Sequence, residues 1–249
     1  MSPAPAVDYI ERMKKPAALL FGLTMVATIA VIAAVVQTLR LQRMQPFPPS
    51  KEAPVRYLQE NERDRGKVEI VFLGDSITDN WDDAGEFFPG LPYANRGIAG
   101  QATSDMLLRF RRDVVELRPM AVVIMAGAGD VASGLPLEET RRNLASMADI
   151  ARAHEIAVVF ASNLAVTDAA PNRAGDGPPA RLDELNAWIK GYALSSEHGF
   201  IDYRPAVNDE RGLLRRELSE DGVRLNARGY AALREVFNRF DREARGAVQ

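Results

Sequence analysis

Cysteine is absent from the 249-residue chain, and histidine occurs only twice, as His154 and His198. Disulfide staples and thiolate metal sites are therefore excluded. The scarcity of histidine leaves two candidates for the side chain that most often serves as a base at neutral pH. A basic surplus is also missing: 31 Lys and Arg face 34 Asp and Glu, for a formal charge of −3. Nucleic-acid binding is not expected from such a balance. No metal-ligand spacing, phosphate loop or internal repeat occurs, and Gly127-Ala128-Gly129 lacks the third glycine of a dinucleotide fingerprint. Neither cofactor nor metal is expected. Hydrophobic residues make up 47% and charged residues 26%, which places the chain among globular rather than disordered proteins.

What the sequence has in excess is one long apolar run. No charged residue occurs from Pro16 to Leu39. Twenty helical residues at ~1.5 Å each cover about 30 Å, the hydrocarbon thickness of a bilayer. A cleaved signal peptide has a shorter apolar stretch that ends at a small-x-small site. Here the run leaves through Val35-Val36-Gln37-Thr38-Leu39-Arg40, which offers none. The pattern predicts an N-terminal tail (1–16), an uncleaved transmembrane anchor in the lipid bilayer (17–39), a Pro-rich linker (40–54) and one domain (55–245). Arg12, Lys14 and Lys15 precede the span, and Arg40 and Arg43 follow it, so charge asymmetry alone barely orients it. A short basic N-terminus before a long domain favours a single-pass inner-membrane protein with its domain in the periplasm.

Beyond Met44-Gln45-Pro46-Phe47-Pro48-Pro49-Ser50, a stretch that cannot continue a helix, strand-like and helix-like segments alternate. Helical patterns cover 55–65, 104–117, 137–153, 181–195 and 226–242, the last opened by Asn226 as N-cap. Strand patterns cover 68–73, 93–95, 121–125, 156–161 and 200–202, and residues 172–179 read as a Gly/Pro-rich loop. Such alternation predicts an α/β three-layer sandwich, a central parallel sheet with helices on both faces.

Chemistry-bearing residues cluster after the strand-like segments. Leu73-Gly74-Asp75-Ser76-Ile77-Thr78-Asp79 follows the first, Asn95-Arg96-Gly97-Ile98-Ala99-Gly100 the second, and Ala126-Gly127-Ala128-Gly129-Asp130 the third. Ser219-Glu220-Asp221-Gly222-Val223-Arg224-Leu225-Asn226 precedes the final helix. In order and spacing these four blocks resemble the SGNH (GDSL) hydrolase superfamily over about residues 67–240. The resemblance implies a flavodoxin-like fold with Ser76 as nucleophile, Gly100 at the oxyanion position and Asp221 as the orienting carboxylate. Two positions depart from the pattern. Gly129 stands where the family has an oxyanion Asn, and Arg224 stands where it has the catalytic His.

A serine hydroxyl needs a neighbouring base to take its proton. Arginine has no acceptor and a pKa above ~12, so it cannot serve. By subtilisin precedent the loss of such a base costs on the order of 10⁶ in turnover, and an oxyanion donor contributes about 10²–10³. His154 and His198 each precede a strand-like segment, which places them at the sheet edge opposite Ser76. Asp130 and Asp168 are expected at the correct edge, but ordinary carboxylates are feeble bases for a hydroxyl. Arg224 is expected to pair with Asp221 and fill the old site mouth; alternatively, with Ser76 and the N–H groups of Ser76 and Gly100, it binds an anion.

The first expectation is thus an inactive scaffold or accessory subunit that contacts other members of a membrane complex. An active esterase or O-acyl transferase working through Ser76, and an anion- or glycan-binding module using Arg224, are the alternatives. Arg109-Phe110-Arg111-Arg112 and the Arg211, Arg215, Arg216 group read as solvated helix faces. Trp81, Phe87 and Phe88 read as an aromatic loop that lines a pocket, packs in the core or meets a partner.

Overall fold

A computed structural model describes residues 28–35, 55–84, 87–165, 179–219 and 221–247. The chain divides into two compact units, Met1–Gln45 and Pro46–Gln249. In the first, residues 28–35 are helical (α1). The rest of the expected anchor and the expected linker lie outside the described residues. Among the described residues no helix is long and apolar enough to cross a membrane.

The second unit is an α/β sandwich. Its strands β1 (Ile70–Gly74), β2 (Tyr93–Gly97), β3 (Ala121–Met125), β4 (Ala157–Ala161) and β5 (Gly199–Ile201) form one parallel sheet in the order β2-β1-β3-β4-β5. β1 lies in register with both neighbours, Ile70 opposite Tyr93 and Ala121, and Gly74 opposite Gly97 and Met125. The helices are α2 (Leu58–Asp64), α3 (Ser76–Asp83), α4 (Thr103–Asp113), α5 (Ala128–Ala132), α6 (Leu137–Ala153), α7 (Pro179–Ser195), α8 (Arg204–Val207) and α9 (Ala227–Gly246).

Side chains on successive strand residues point to opposite faces, so each central strand feeds two cores. Val71, Leu73, Val122 and Ile124 join Met106, Phe110, Leu144, Met147 and Leu185 on one side. Ile70, Phe72, Val123 and Met125 join Trp81, Phe88, Tyr230, Leu233 and Phe237 on the other. Burial on both faces explains why the strands read as unbroken apolar runs.

Four connections into strands pass through a left-handed residue: Gly66, Arg118, Glu155 and Glu197 at φ 72°, 55°, 60° and 58°. Behind Glu155 and Glu197 the chain closes with the same long bond, Ile156 N–H to Ala151 O (3.0 Å) and His198 N–H to Ala193 O (2.8 Å). This is the Schellman ending, in which glycine is the usual left-handed residue. Here two glutamates take that place.

Three sequence expectations need correction. The segment after Asp75 is helix, not turn and loop: Asp75 caps α3 by accepting from Ile77 N–H, and Trp81 sits on that helix, 1% exposed. Trp81 and Phe88 are core residues, packed with Phe72, Phe87, Tyr93, Tyr230 and Phe237. The helix expected over 104–117 ends at Asp113 and is followed by a 3₁₀ turn, Val115–Leu117. Finally, Arg109 is buried at 6% exposure, so only part of the 109–112 cluster is a solvated face.

Phe72 lies at the centre of the aromatic cluster, with ring centroids 4.9–5.8 Å from Phe237, Phe88, Phe87 and Trp81. Phe72→Ala is expected to cost about 3–5 kcal/mol, read as a lowered urea midpoint with an unchanged slope.

Candidate active site

β1 ends at Gly74 and the chain turns at once into α3, leaving Ser76 half-buried on its first turn at the C-terminal edge of the sheet. Gly74 has to be glycine, since an added Cβ would lie 2.1 Å from Thr78 Oγ1 and 2.8 Å from Met125 O. The second block follows β2 at the same edge. There Gly97 touches α3 so closely that a Cβ would meet Asp79 N at 2.1 Å. Gly100 turns the chain at φ 78° and is exposed. After β3, Gly129 lies on α5, where an added Cβ would approach Gln101 O to 3.0 Å. The first three blocks therefore meet as the resemblance implies.

Buried polar groups weld them together. Asp130 accepts from Thr103 N–H (2.9 Å), Thr103 Oγ1 (2.6 Å) and Thr140 Oγ1 (3.2 Å), tying the third block to the second. Its carboxyl is committed to that role, and burial pushes its pKa up. Arg109 donates to Gln101 Oε1 (2.6 Å), Asp113 Oδ2 (3.1 Å) and Gly74 O (3.3 Å), holding the first block to the second. Tyr57 donates to Gly97 O (2.6 Å). The neighbouring Arg56 pairs with Asp79, whose Oδ2 accepts from Ala99 N–H (2.9 Å). The residues that begin the domain thus clip the second-block loop to α3.

The last block is built differently. Asp221 Oδ1 accepts from the backbone N–H groups of Arg224 (2.7 Å) and Val223 (2.9 Å), and Oδ2 accepts from Arg224 Nε (2.8 Å). These donors, the Arg224 N–H first, hold the Asp221 pKa down at about 2. The expected Asp221–Arg224 pair is present. It does not plug a mouth, because the two side chains are 38% and 61% exposed. Tyr230, one helical turn into α9, donates to Ile77 O (2.9 Å) and ties this block to α3. Burial first, and then the Asp75 charge, pushes the Tyr230 hydroxyl pKa up.

Both histidines lie at the far edge of the sheet. His154 caps the C-terminus of α6 ahead of β4, and His198 directly precedes β5. Asp168 lies outside the described residues.

Sequence reasoning passed over Asp75. Its side chain is buried and its pKa is pushed up to about 6, by desolvation first and by the neighbouring Asp130 charge as well. The available signal was its place between a glycine and the first helical residue, where a short acceptor caps the helix. Also unforeseen were Asn163 and Asn186. Asn163 Nδ2 donates to Ala126 O (3.0 Å), and Asn186 Oδ1 accepts from Asn163 N–H (2.8 Å), fixing the ends of β3 and β4 to α7. Among the described residues no group of three His, Cys, Asp or Glu could hold a metal ion.

Known proteins share the fold and part of the sequence. A solved structure of a candidate acylhydrolase from Bacteroides fragilis is similar, at 30% identity over 78% of this chain and 99% of that one, with a TM-score of 0.71. A GDSL-like lipase from Bacteroides thetaiotaomicron is 33% identical over 76% of this chain and 97% of its own, with a TM-score of 0.69. An acetylxylan esterase from Geobacillus stearothermophilus, 20% identical over 71% and 94% with a TM-score of 0.56, shares the fold. An uncharacterized lipoprotein of Bacillus subtilis, YqeF, is 34% identical over 37% of this chain. The match spans 46% of that lipoprotein, less than half its length. The model of the GDSL-like lipase/acylhydrolase family matches residues 72–232, and the chain belongs to that family.

Proposed function

We propose that this GDSL-family domain no longer turns over esters and serves as a membrane-tethered accessory or scaffolding module of a membrane complex, on the periplasmic side of the inner membrane. One observation carries the reading: the base position holds Arg224, whose Nε donates to Asp221, while His154 and His198 stand at the opposite sheet edge. A guanidinium has no lone pair to receive the Ser76 proton. Asp221, with its pKa near 2 and its oxygens engaged by its own turn, has little basicity to offer. The oxyanion side chain is missing too, because Gly129 supplies only backbone. Tethering is supported by the uncharged run from Pro16 to Leu39. That the Bacillus subtilis relative is named a lipoprotein supports membrane association as well.

A double substitution tests the loss of chemistry. With p-nitrophenyl acetate, the wild type is expected to hydrolyse no faster than Ser76→Ala, whereas Gly129→Asn with Arg224→His gains at least tenfold. The new Asn has to move the Gln101 carbonyl by a few tenths of an ångström, since a Cβ at 129 stands 3.0 Å from it. Wild-type turnover that Ser76→Ala abolishes overturns the reading. The scaffold role is checked by purification from native membranes in mild detergent, where a stoichiometric partner is expected and a lone monomer counts against it.

A second reading, slow ester hydrolysis through Ser76, is favoured by Asp75, the adjoining buried carboxyl with a pKa of about 6. On this reading the pH–rate profile bends near 6 and the bend disappears in Asp75→Asn. The same shift has a consequence for stability. The folded pKa lies above the ordinary 3.8, so between those values the native state holds the proton that the unfolded chain has released. Stability therefore falls as pH rises from about 4 to about 6, by up to about 3 kcal/mol. Asp75→Asn keeps an acceptor for the Ile77 N–H and removes this penalty. It is expected to raise the melting temperature at pH 7 and to leave it nearly unchanged at pH 4.

A further inference from the structure

A concavity lies away from the family site, at the edge where the strands begin. It has a volume of about 630 Å³ and runs between the C-terminal half of α9 and the starts of β3, β4 and β5. Its floor is apolar, with Ile70, Val123, Val159 and Phe237 among the lining residues, and its exposed rim includes Glu155 and Glu197. Such a volume is in the range of a ligand pocket, ~300–1,000 Å³.

The rim carries charge of both signs, but its cation is already paired. Of the other charged lining residues, Arg152 is paired with Asp149, and Asp241 accepts from Arg245. Glu155 and Glu197 make no ion pair among the described residues. Each terminates a 17-residue helix, α6 or α7. The C-terminal ends of the α6 and α7 dipoles add negative potential at the same place, even with their last turns closed by backbone bonds. Two carboxylates and two helix ends therefore surround the mouth of an apolar hollow. Metal ligation does not explain them, as no three-ligand group exists among the described residues. The complementary occupant is an organic cation on an aliphatic stem.

We infer that this hollow is a docking site for a partner protein, which inserts a lysine or arginine side chain flanked by apolar residues. The inference rests on the scaffold reading and deepens it: the binding face is the sheet edge opposite Ser76, so the degenerate site has no part in it. An arginine or lysine stem covers apolar surface while its head stays at the rim, as the division between floor and rim requires.

The test uses the full chain in detergent micelles and a synthetic peptide that alternates leucine and lysine, followed by calorimetry. Saturable binding is expected, with none for the leucine–glutamate analogue. Glu155→Lys with Glu197→Lys weakens binding at least tenfold, and Ala157→Trp, at an exposed lining position, blocks it sterically. Glu138→Lys with Glu139→Lys, the same charge change at the N-terminus of α6, leaves binding within twofold. All three variants alter exposed residues, and an unchanged melting temperature verifies that they fold. Absence of binding, equal loss in the Glu138/Glu139 control, or retention in Ala157→Trp overturns the inference. Concentration-dependent dimerisation lost in the Glu155/Glu197 variant assigns the hollow to a second copy of this chain and overturns it equally. None of these outcomes depends on esterase activity, so failure here and failure of the inactive-enzyme reading are separable.

Discussion

Beneath the turn that carries Ser76, one buried guanidinium fixes the relative positions of the first and second blocks. Arg109 reaches the Gly74 carbonyl, the Gln101 amide and the Asp113 carboxylate from a nearly solvent-free position. Burying a cation is expensive unless its partners are in place. Asp113 is fully buried as well, and it also receives Arg112 and Asn61, the latter from α2. Helix α2, helix α4 and the end of β1 are consequently committed to one geometry. Around that cluster the chain repeats the family's architecture.

The buried framework and the last block are held together differently. Groups that hold loops together are present and satisfied: Asp130 on Thr103 and Thr140, Tyr230 on Ile77, and Asn163 with Asn186 at the C-terminal ends of β3 and β4. At Asp221 the bonding is local instead. Asp221 faces inward on its own turn, with two backbone donors and Arg224 Nε on its oxygens, which is how an isolated Asx turn behaves. Asp221 thus serves as the cap of the turn that carries Arg224.

Much of this was legible in the sequence because the strands are buried on both faces. Ala121–Met125 and Leu137–Ala153 coincide with their expected ranges, the first as a continuous apolar run and the second as an amphipathic repeat. α3 was not legible. Its sequence, Ser-Ile-Thr-Asp-Asn-Trp-Asp-Asp, is rich in turn formers, and it becomes helical through the Asp75 cap and the burial of Trp81. The burial of Arg109 was hidden by the arginines next to it. Its spacing held the clue, because it falls between Met106 and Phe110 on the buried face of α4. The Asp221–Arg224 pair followed from three-residue spacing, but its exposure depends on tertiary surroundings that local sequence does not encode. The hollow below β4 and β5 left no trace at all, being a gap between elements distant in the chain.

The clip formed by Arg56 and Tyr57 gives the domain a mechanical polarity. Tyr57 lies between the guanidinium groups of Arg56 and Arg96, 5.1 and 4.9 Å from its ring centre, and hydrogen-bonds the Gly97 carbonyl. Arg56 grips Asp79 on the helix that begins at Ser76. Traction applied to the backbone at Val55 is therefore passed first to Gly97, the last residue of β2, and to Asp79 on α3. The sheet edge that carries Ser76 is where such a pull enters the fold.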